Sequence, residues 1–298
     1  MDPGVNRCLN TMGETAMRRM LLACALFAPL AANAACPDDA AVARLAAALT
    51  SGQPAEPFPG LSMADAECAR DKLVPLLAPA FGAPVGYKVG LATPAAQQRF
   101  GVTGPVWGVI FASTIAAKSG ATIALTPQVA GLGVEADLLV RVKDAGINTA
   151  GQDPVAILRH LDQVIPFIEL PRGGIAGKVD GPILVSANVS ARLGVVGEPI
   201  AVAATPEFAA RLASMTVTFT DNDKEVARAA GSALLGHPLN AVTYLVGDLA
   251  RTGKALKAGD IVSLGGFAPS VPAQAGHAYA QRYEGLTAQP VTVEVRFQ

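Results

Sequence analysis

The chain has 298 residues, 51% of them hydrophobic and 16% charged, with a formal net charge of −1. That length is enough to bury a sizeable core in one large domain, and the composition excludes an intrinsically disordered chain. No Lys/Arg cluster follows the N-terminus, which excludes nucleic acid as a partner.

Taken in chain order, Arg18 and Arg19 precede a thirteen-residue apolar run, Met20 to Ala32, which ends in Ala32-Asn33-Ala34, a small-x-small cleavage pattern. Residues 1–34 therefore read as a signal peptide and leader, with a periplasmic or secreted location expected and no membrane span after cleavage. A buried core helix is the alternative reading of the run. The arginine pair also raises the twin-arginine route, although its flanks match that signal poorly. Removal of the leader leaves Cys36 and Cys68. Two cysteines in an exported protein suggest one disulfide, the alternative being two buried thiols.

Residues 35–84 read as a helical N-terminal subdomain, and 85–298 as a catalytic domain. An Ala-rich helix is expected over 38–49, followed by a Pro/Gly loop over 51–60 and a second helix that opens at Ser62 with acids in its first turns. From Val85 the chain turns to short β segments broken by glycines. Thr93-Pro94, Asp153-Pro154 and Thr205-Pro206 are N-cap and proline start signals, which predict helices near 94–100, 154–162 and 206–214. Strands are predicted near 107–111, 121–125, 134–142, 164–170, 183–189, 215–220, 225–230, 260–266, 277–284 and 291–297. Asp221 to Lys224 reads as a hairpin turn, and a late helix runs from Gly236 to about Arg251 with Gly253 as its C-cap. Many strands without a regular βαβ rhythm predict an α+β fold.

The stretch GLGVEADLLVRVK, residues 131–143, places Glu135 and Asp137 two apart in an apolar strand. Strand side chains alternate between faces, so both acids project into one space. Such a pair resists burial unless a cation lies between the groups or one of them holds a proton, and oxygen ligands of this kind suit Mg²⁺ or Mn²⁺. The solvent face of an edge strand is the alternative. A third acid, Glu169, interrupts the apolar segment VIPFIEL, and three carboxylates plus water would make an open octahedral site. Lys88, in GYKVG, is either a surface lysine or a general acid or base whose pKa burial and a nearby metal would lower. His237 reads first as a helix cap, and neither His160 nor His277 suggests a ligand. The chain has no G-x-S-x-G elbow, Gly-rich phosphate loop or C-x-x-C pair.

GYKVGLATPAAQQRFGV, VEADLLV, IPFIEL, GSALLGHPLNAVTYL and LKAGDIVSLGG, in this order and spacing, resemble the 2-keto-4-pentenoate hydratase and 2-oxo-3-hexenedioate decarboxylase branch of the fumarylacetoacetate hydrolase superfamily. The likeness covers about Val85 to the C-terminus. It implies a mixed β-roll core and a homo-oligomer. It also implies Mg²⁺ or Mn²⁺ held by Glu135, Asp137 and Glu169, Lys88 as the catalytic proton carrier, and Asn188, Gly265 and Gly266 at the substrate. Relatives commonly carry an acid where this chain has Ser113, and often another where it has Ala187. Asp137 is shorter than the usual glutamate, and Leu264 replaces a polar residue before the Gly-Gly turn. These departures bear on proton transfer more than on metal binding. The function implied is hydration of a small 2-hydroxydienoic or 2-oxo acid through a metal-stabilised enolate. Decarboxylation and acylpyruvate C–C hydrolysis are alternatives on the same chemistry, and an exported, non-catalytic 2-oxo acid binding protein is an alternative of another class.

Overall fold

Two helices precede the sheets in the computed structural model, which describes residues 36–298. The signal-peptide reading of residues 1–34 lies outside the described residues. Helix α1 (Asp39–Ser51) starts where the Asp38 carboxylate accepts from Ala41 N–H, and ends at Gly52 in the left-handed conformation. Helix α2 (Met63–Phe81) opens with a reciprocal capping box between Ser62 and Asp65. A disulfide joins Cys36 to Cys68, tying the start of the described chain to α2. The boundary near residue 84 marks a change of secondary structure, while packing runs across it within one compact unit, Ala34–Gln298. Arg70 of α2, 1% exposed, lies 3.3 Å over the Trp107 ring and donates to Trp107 O.

The remaining elements are β1 (Pro84–Gly90), α3 (Pro94–Phe100), β2 (Val106–Phe111), β3 (Ala117–Lys118), β4 (Ala121–Ile123), β5 (Gly133–Val142), α4 (Pro154–Leu158), β6 (Leu161–Leu170), α5 (Gly181–Ser186), β7 (Leu193–Val196) and β8 (Ile200–Ala201). They continue with α6 (Pro206–Ser214), β9 (Thr216–Asp221), β10 (Lys224–Ala230), α7 (Asn240–Arg251), β11 (Ile261–Ser263), β12 (Val271–Pro272), β13 (Ala278–Glu284) and β14 (Val291–Phe297). A nine-stranded sheet runs β2-β1-β11-β5-β6-β7-β3, with β12 on β5 and β8 on β6; a five-stranded sheet runs β10-β9-β13-β14-β4. Both mix parallel and antiparallel pairs, as in β1 with β11 and β11 with β5, so the α+β class and mixed sheet architecture are observed. The long hairpin-like pair β5 and β6 is the centre of the first sheet. Its Leu138, Leu139, Val140, Val164 and Ile168 are all but fully buried.

The two sheets are stitched by side chains of β13, where Tyr279 O–H donates to Pro272 O of β12 at 2.9 Å and two further residues reach the middle of β5. Gln281 Nε2 of β13 donates to Asp137 O at 3.0 Å and Tyr283 O–H donates to the same carbonyl, while the Tyr283 oxygen accepts from Phe167 N–H at 3.1 Å. Buried backbone groups need such partners, and here they hold the middle of β5 still.

Several predicted elements take a different form. The strand predicted over 183–189 is instead α5, followed by a tight turn in which Asn188, Val189 and Ser190 have φ of 55°, 51° and 57°. Asp180 caps that helix by accepting from Ile183 N–H, and Pro182 sits in its first turn. Its side chains are nearly all buried, which removes the amphipathic period that reveals a helix. The helix predicted to 162 ends at Leu158 because β6 begins at Leu161. The late helix starts at Asn240 rather than Gly236. His237 Nδ1 accepts from Leu239 N–H just before it, and Gly253 takes the left-handed position at its end. The short strands β3, β7, β8 and β12 carry no readable period. Among the described residues no helix is long and apolar enough to cross a membrane.

Candidate active site

The antiparallel register of β5 and β6 sets Glu135 directly opposite Glu169, and Asp137 opposite Phe167. Directly paired residues share a face with their Cβ atoms about 5 Å apart. Both glutamates therefore enter the space into which Asp137 also points. Lys88 reaches that space from β1, and its Nζ lies 2.5 Å from Glu169 Oε1, with side-chain exposures of 5% and 3%. Sequence-distant residues 88, 135, 137 and 169 thus form one cluster, buried except at the half-buried Glu135, with an excess of acids over cations.

The three acids are not equivalent. Asp137 is fully buried, and its carboxylate is already engaged. Oδ1 accepts from Leu138 N–H at 2.5 Å and from Gly265 N–H at 3.1 Å, and Oδ2 accepts from the Ser263 hydroxyl at 2.5 Å. Glu135 faces a cavity of about 380 Å³, which the Ser270 hydroxyl also lines. Burial, and then the charge of Glu169, push the Glu135 carboxyl up to about 7 against the pull of Lys88 and Ser270. The same two causes push Asp137 up to about 7 against its Ser263 and Leu138 bonds. Burial pulls Lys88 down, but Glu169, Glu135 and Asp137 together outweigh it and raise the ammonium above its ordinary value. Without a metal Lys88 is a protonated counter-ion, not the depressed lysine anticipated from burial.

Among the described residues no group of three His, Cys, Asp or Glu side chains is arranged as a ready metal cage. The reason is local: the shorter Asp137 is drawn back onto Ser263, Gly265 and Leu138, and Lys88 sits against Glu169. Glu135 is the donor that lines the cavity, and Glu169 faces it across the β5–β6 pair with Lys88 on one of its oxygens. Mg²⁺ is commonly held by one or two carboxylates and keeps several waters. Two facing carboxylates, in a cluster where burial and then the charge of Glu169 lift two acids to about 7, fit such an ion in donor type and charge.

The cavity is walled by apolar side chains, among them Leu91, Phe100, Leu184 and Val271, with Lys88, Glu135, Ser190 and Ser270 as its polar side chains. Its size suits a small metabolite. Of the residues anticipated at substrate, Asn188 is a correction. It is 1% exposed, and its side-chain amide pairs with the Val109 backbone, donating to O at 2.9 Å and accepting from N–H at 2.7 Å. It pins the turn after α5 to β2, where a Cβ on Gly108 would lie 2.5 Å from Asn188 O. Gly265 and Gly266 adjoin the acids rather than the open cavity: Gly265 N–H holds Asp137, and a Cβ on Gly266 would lie 3.2 Å from Glu135 Oε2. Gly265, at φ 109°, is also the position where the chain swings off β11 while staying on β5, through Leu264 N–H to Leu138 O and Phe267 N–H to Ala136 O.

Ser113 Oγ is buried with no hydrogen-bond partner, and Ala187 and Leu264 are buried apolar positions. All three histidines hold structural bonds: His237 to Ala209 O, His160 to Asp144 and His277 to Asp221. Sequence reasoning missed Ser263 and Ser270. Ser263 stands in the VSLGG segment, but a buried serine near a glycine turn has many readings, and Ser270 lies in a loop with no pattern at all.

No protein-family model matches the chain. It is 32% identical to the TodF product hydratase of Pseudomonas putida over 210 residues, which cover 68% of this chain and 73% of that protein. It is 30% identical to a 2-keto-4-pentenoate hydratase of Burkholderia vietnamiensis over 206 residues, covering 68% and 75%. The fold superposes on the 4-oxalocrotonate decarboxylase of Pseudomonas putida G7, solved with magnesium and adipate, with a TM-score of 0.76 and 25% identity over 87% of this chain and 97% of that one.

Proposed function

The chain belongs to the 2-keto-4-pentenoate hydratase and 4-oxalocrotonate decarboxylase branch of the fumarylacetoacetate hydrolase superfamily, and we propose that it is a divalent-metal-dependent hydro-lyase acting on a small 2-hydroxydienoic acid with a single carboxylate. The observation that carries this reading is the Lys88–Glu169 contact beside Glu135 at one end of an otherwise apolar cavity. A dication held by Glu135 and Glu169, Mg²⁺ or Mn²⁺, would supply Lewis acidity for charge developing on the substrate carboxylate and 2-oxygen. Lys88, kept protonated by its acid neighbours, delivers a proton to the dienol carbon and recovers the one released from the 2-hydroxyl, so ketonisation is proton-neutral. Water then adds across the remaining C=C bond. Ser263 orients Asp137, and Ser270 stands beside Glu135 in the cavity wall. The apolar walls exclude bulk water from the charged end, which strengthens each interaction there.

Among the described residues lining the cavity, Lys88 is the one cation. A diacid would bring a second carboxylate against apolar walls, so the cavity supports hydration of a monoacid over decarboxylation of an oxalocrotonate-type substrate. The test is ultraviolet absorbance with Mg²⁺ or Mn²⁺ across 2-hydroxydienoates and 2-oxo acids. Metal-dependent turnover of monoacid dienoates above diacids is the expected result. Metal-dependent binding with no turnover across the panel would replace the enzyme by a 2-oxo acid binding protein, the reading that Ser113 and Ala187 favour.

Export through the 1–34 leader and assembly as a homo-oligomer belong to the same proposal. The Cys36–Cys68 disulfide supports export, since such bonds persist in oxidising compartments. Intact mass of periplasmic protein beginning at residue 35, and light scattering above the monomer mass, are the expected findings.

A further inference from the structure

Arg172 and Arg192 line one small cavity behind the catalytic pocket, and neither has an ion-pair partner among the described residues. Arg172 is 7% exposed. Its Nε donates to Ala130 O at 2.9 Å and Nη2 donates to Gly52 O, but Nη1 is buried with no acceptor. The Arg192 guanidinium lies 4.4 Å over the Phe81 ring, and its Nε is likewise buried without a partner. Arg192 as a whole is half-buried, and the other cations buried as deeply as Arg172 differ in having a carboxylate partner. Arg70 has Asp71 at 3.2 Å and Lys88 has Glu169 at 2.5 Å.

A guanidinium cannot shed its charge in a protein. Two of them in one cavity with no carboxylate are therefore left to bear burial and mutual repulsion. Burial lowers both, and Arg172 lowers Arg192 further. The remaining cavity side chains are Leu49, Leu77, Phe81, Ala187, Ala191 and the polar Ser190, with no acid. The space open to the centre of a water-sized occupant is about 10 Å³, room for roughly one such body. That size excludes phosphate or a free carboxylic acid. Of single-atom-sized occupants, water could accept from an arginine and donate to Ser190, but it would cancel no charge. A halide only accepts, and it neutralises.

We propose that Arg172 and Arg192 form a buried binding site for one small monovalent anion of the halide class. The site is separate from the carboxylate cluster but joined to the pocket wall. Pro171 and Gly173, on either side of Arg172, line the catalytic cavity, as does Ser190, whose carbonyl accepts from Arg172 N–H at 3.0 Å and which also borders the arginine cavity. The anion would thus brace the wall against which substrate packs.

The experiment is bromide replacement. Crystals of the wild-type protein transferred from sodium chloride to sodium bromide are expected to show a bromine anomalous peak between the two guanidiniums. In solution, titrating chloride into gluconate buffer at constant ionic strength is expected to raise the melting temperature saturably by about 3 °C or more. Arg192→Met is expected to stay folded and lose that response. A cavity without anomalous signal, a carboxylate of this or another copy seated in it, or equal halide responses in wild type and R192M would each overturn the proposal. Should R192M fail to fold, the anomalous measurement on wild type decides alone.

Discussion

Asp137→Asn is expected to gain stability over the wild type as pH rises from 5 to 8 in the absence of metal. The native Asp137 carboxyl sits at about 7, raised from 3.8 by burial and by Glu169. An acid with a raised native pKa keeps its proton in the folded state while the unfolded chain has already lost it. Folding stability therefore falls as pH rises between about 4 and 7, and levels off above. At about 1.4 kcal/mol per pH unit, the part of that loss lying between pH 5 and 7 is about 3 kcal/mol. Asparagine has no such loss. Its Oδ1 can still accept from Leu138 and Gly265 N–H, and its Nδ2 can donate to the Ser263 oxygen, so all three contacts that hold Asp137 survive. For a chain of this length 3 kcal/mol corresponds to about 6–12 °C in melting temperature. Calorimetry of both proteins in EDTA at pH 5 and pH 8 measures the gap, and Mg²⁺ should narrow it by giving the acids a counter-ion. A D137N protein destabilised by the same amount at both pH values would refute the buried-charge account of this cluster.

Glu135→Ala removes the one carboxylate that lines the cavity, and Mn²⁺ calorimetry is expected to show binding lost; unchanged affinity would move the metal elsewhere. Lys88→Met should keep fold and metal affinity while turnover falls by about 10² to 10⁴. A K88M enzyme at wild-type rate would demote Lys88 to a counter-ion for Glu169. Replacing Cys36 and Cys68 by serine opens a 32-residue link and is expected to cost about 4 kcal/mol in the chain-entropy model, with turnover per folded molecule unchanged. Denaturant unfolding checks the first part and specific activity the second.

Much of the local structure was written in short stretches of chain. The capping residues Asp38, Ser62, Thr93 and Thr205 each bond the backbone of their own helix as their positions require. A helix start needs only the next three residues to be specified. The shared face of Glu135 and Asp137 likewise follows from strand alternation alone. Alternation does not say which face is buried, nor which residue of another strand stands opposite, because register is set by packing across the sheet. Only the tertiary structure placed Glu169 against Glu135, brought Lys88 to Glu169 from a strand about eighty residues away, and spent the shorter Asp137 on Ser263 and Gly265. Burial on nearly all sides hid α5, and the same depth turned Asn188 from a substrate ligand into a clamp on Val109. Arg172 and Arg192 are unremarkable in sequence, because an unpaired charge becomes visible only when everything around it has been placed.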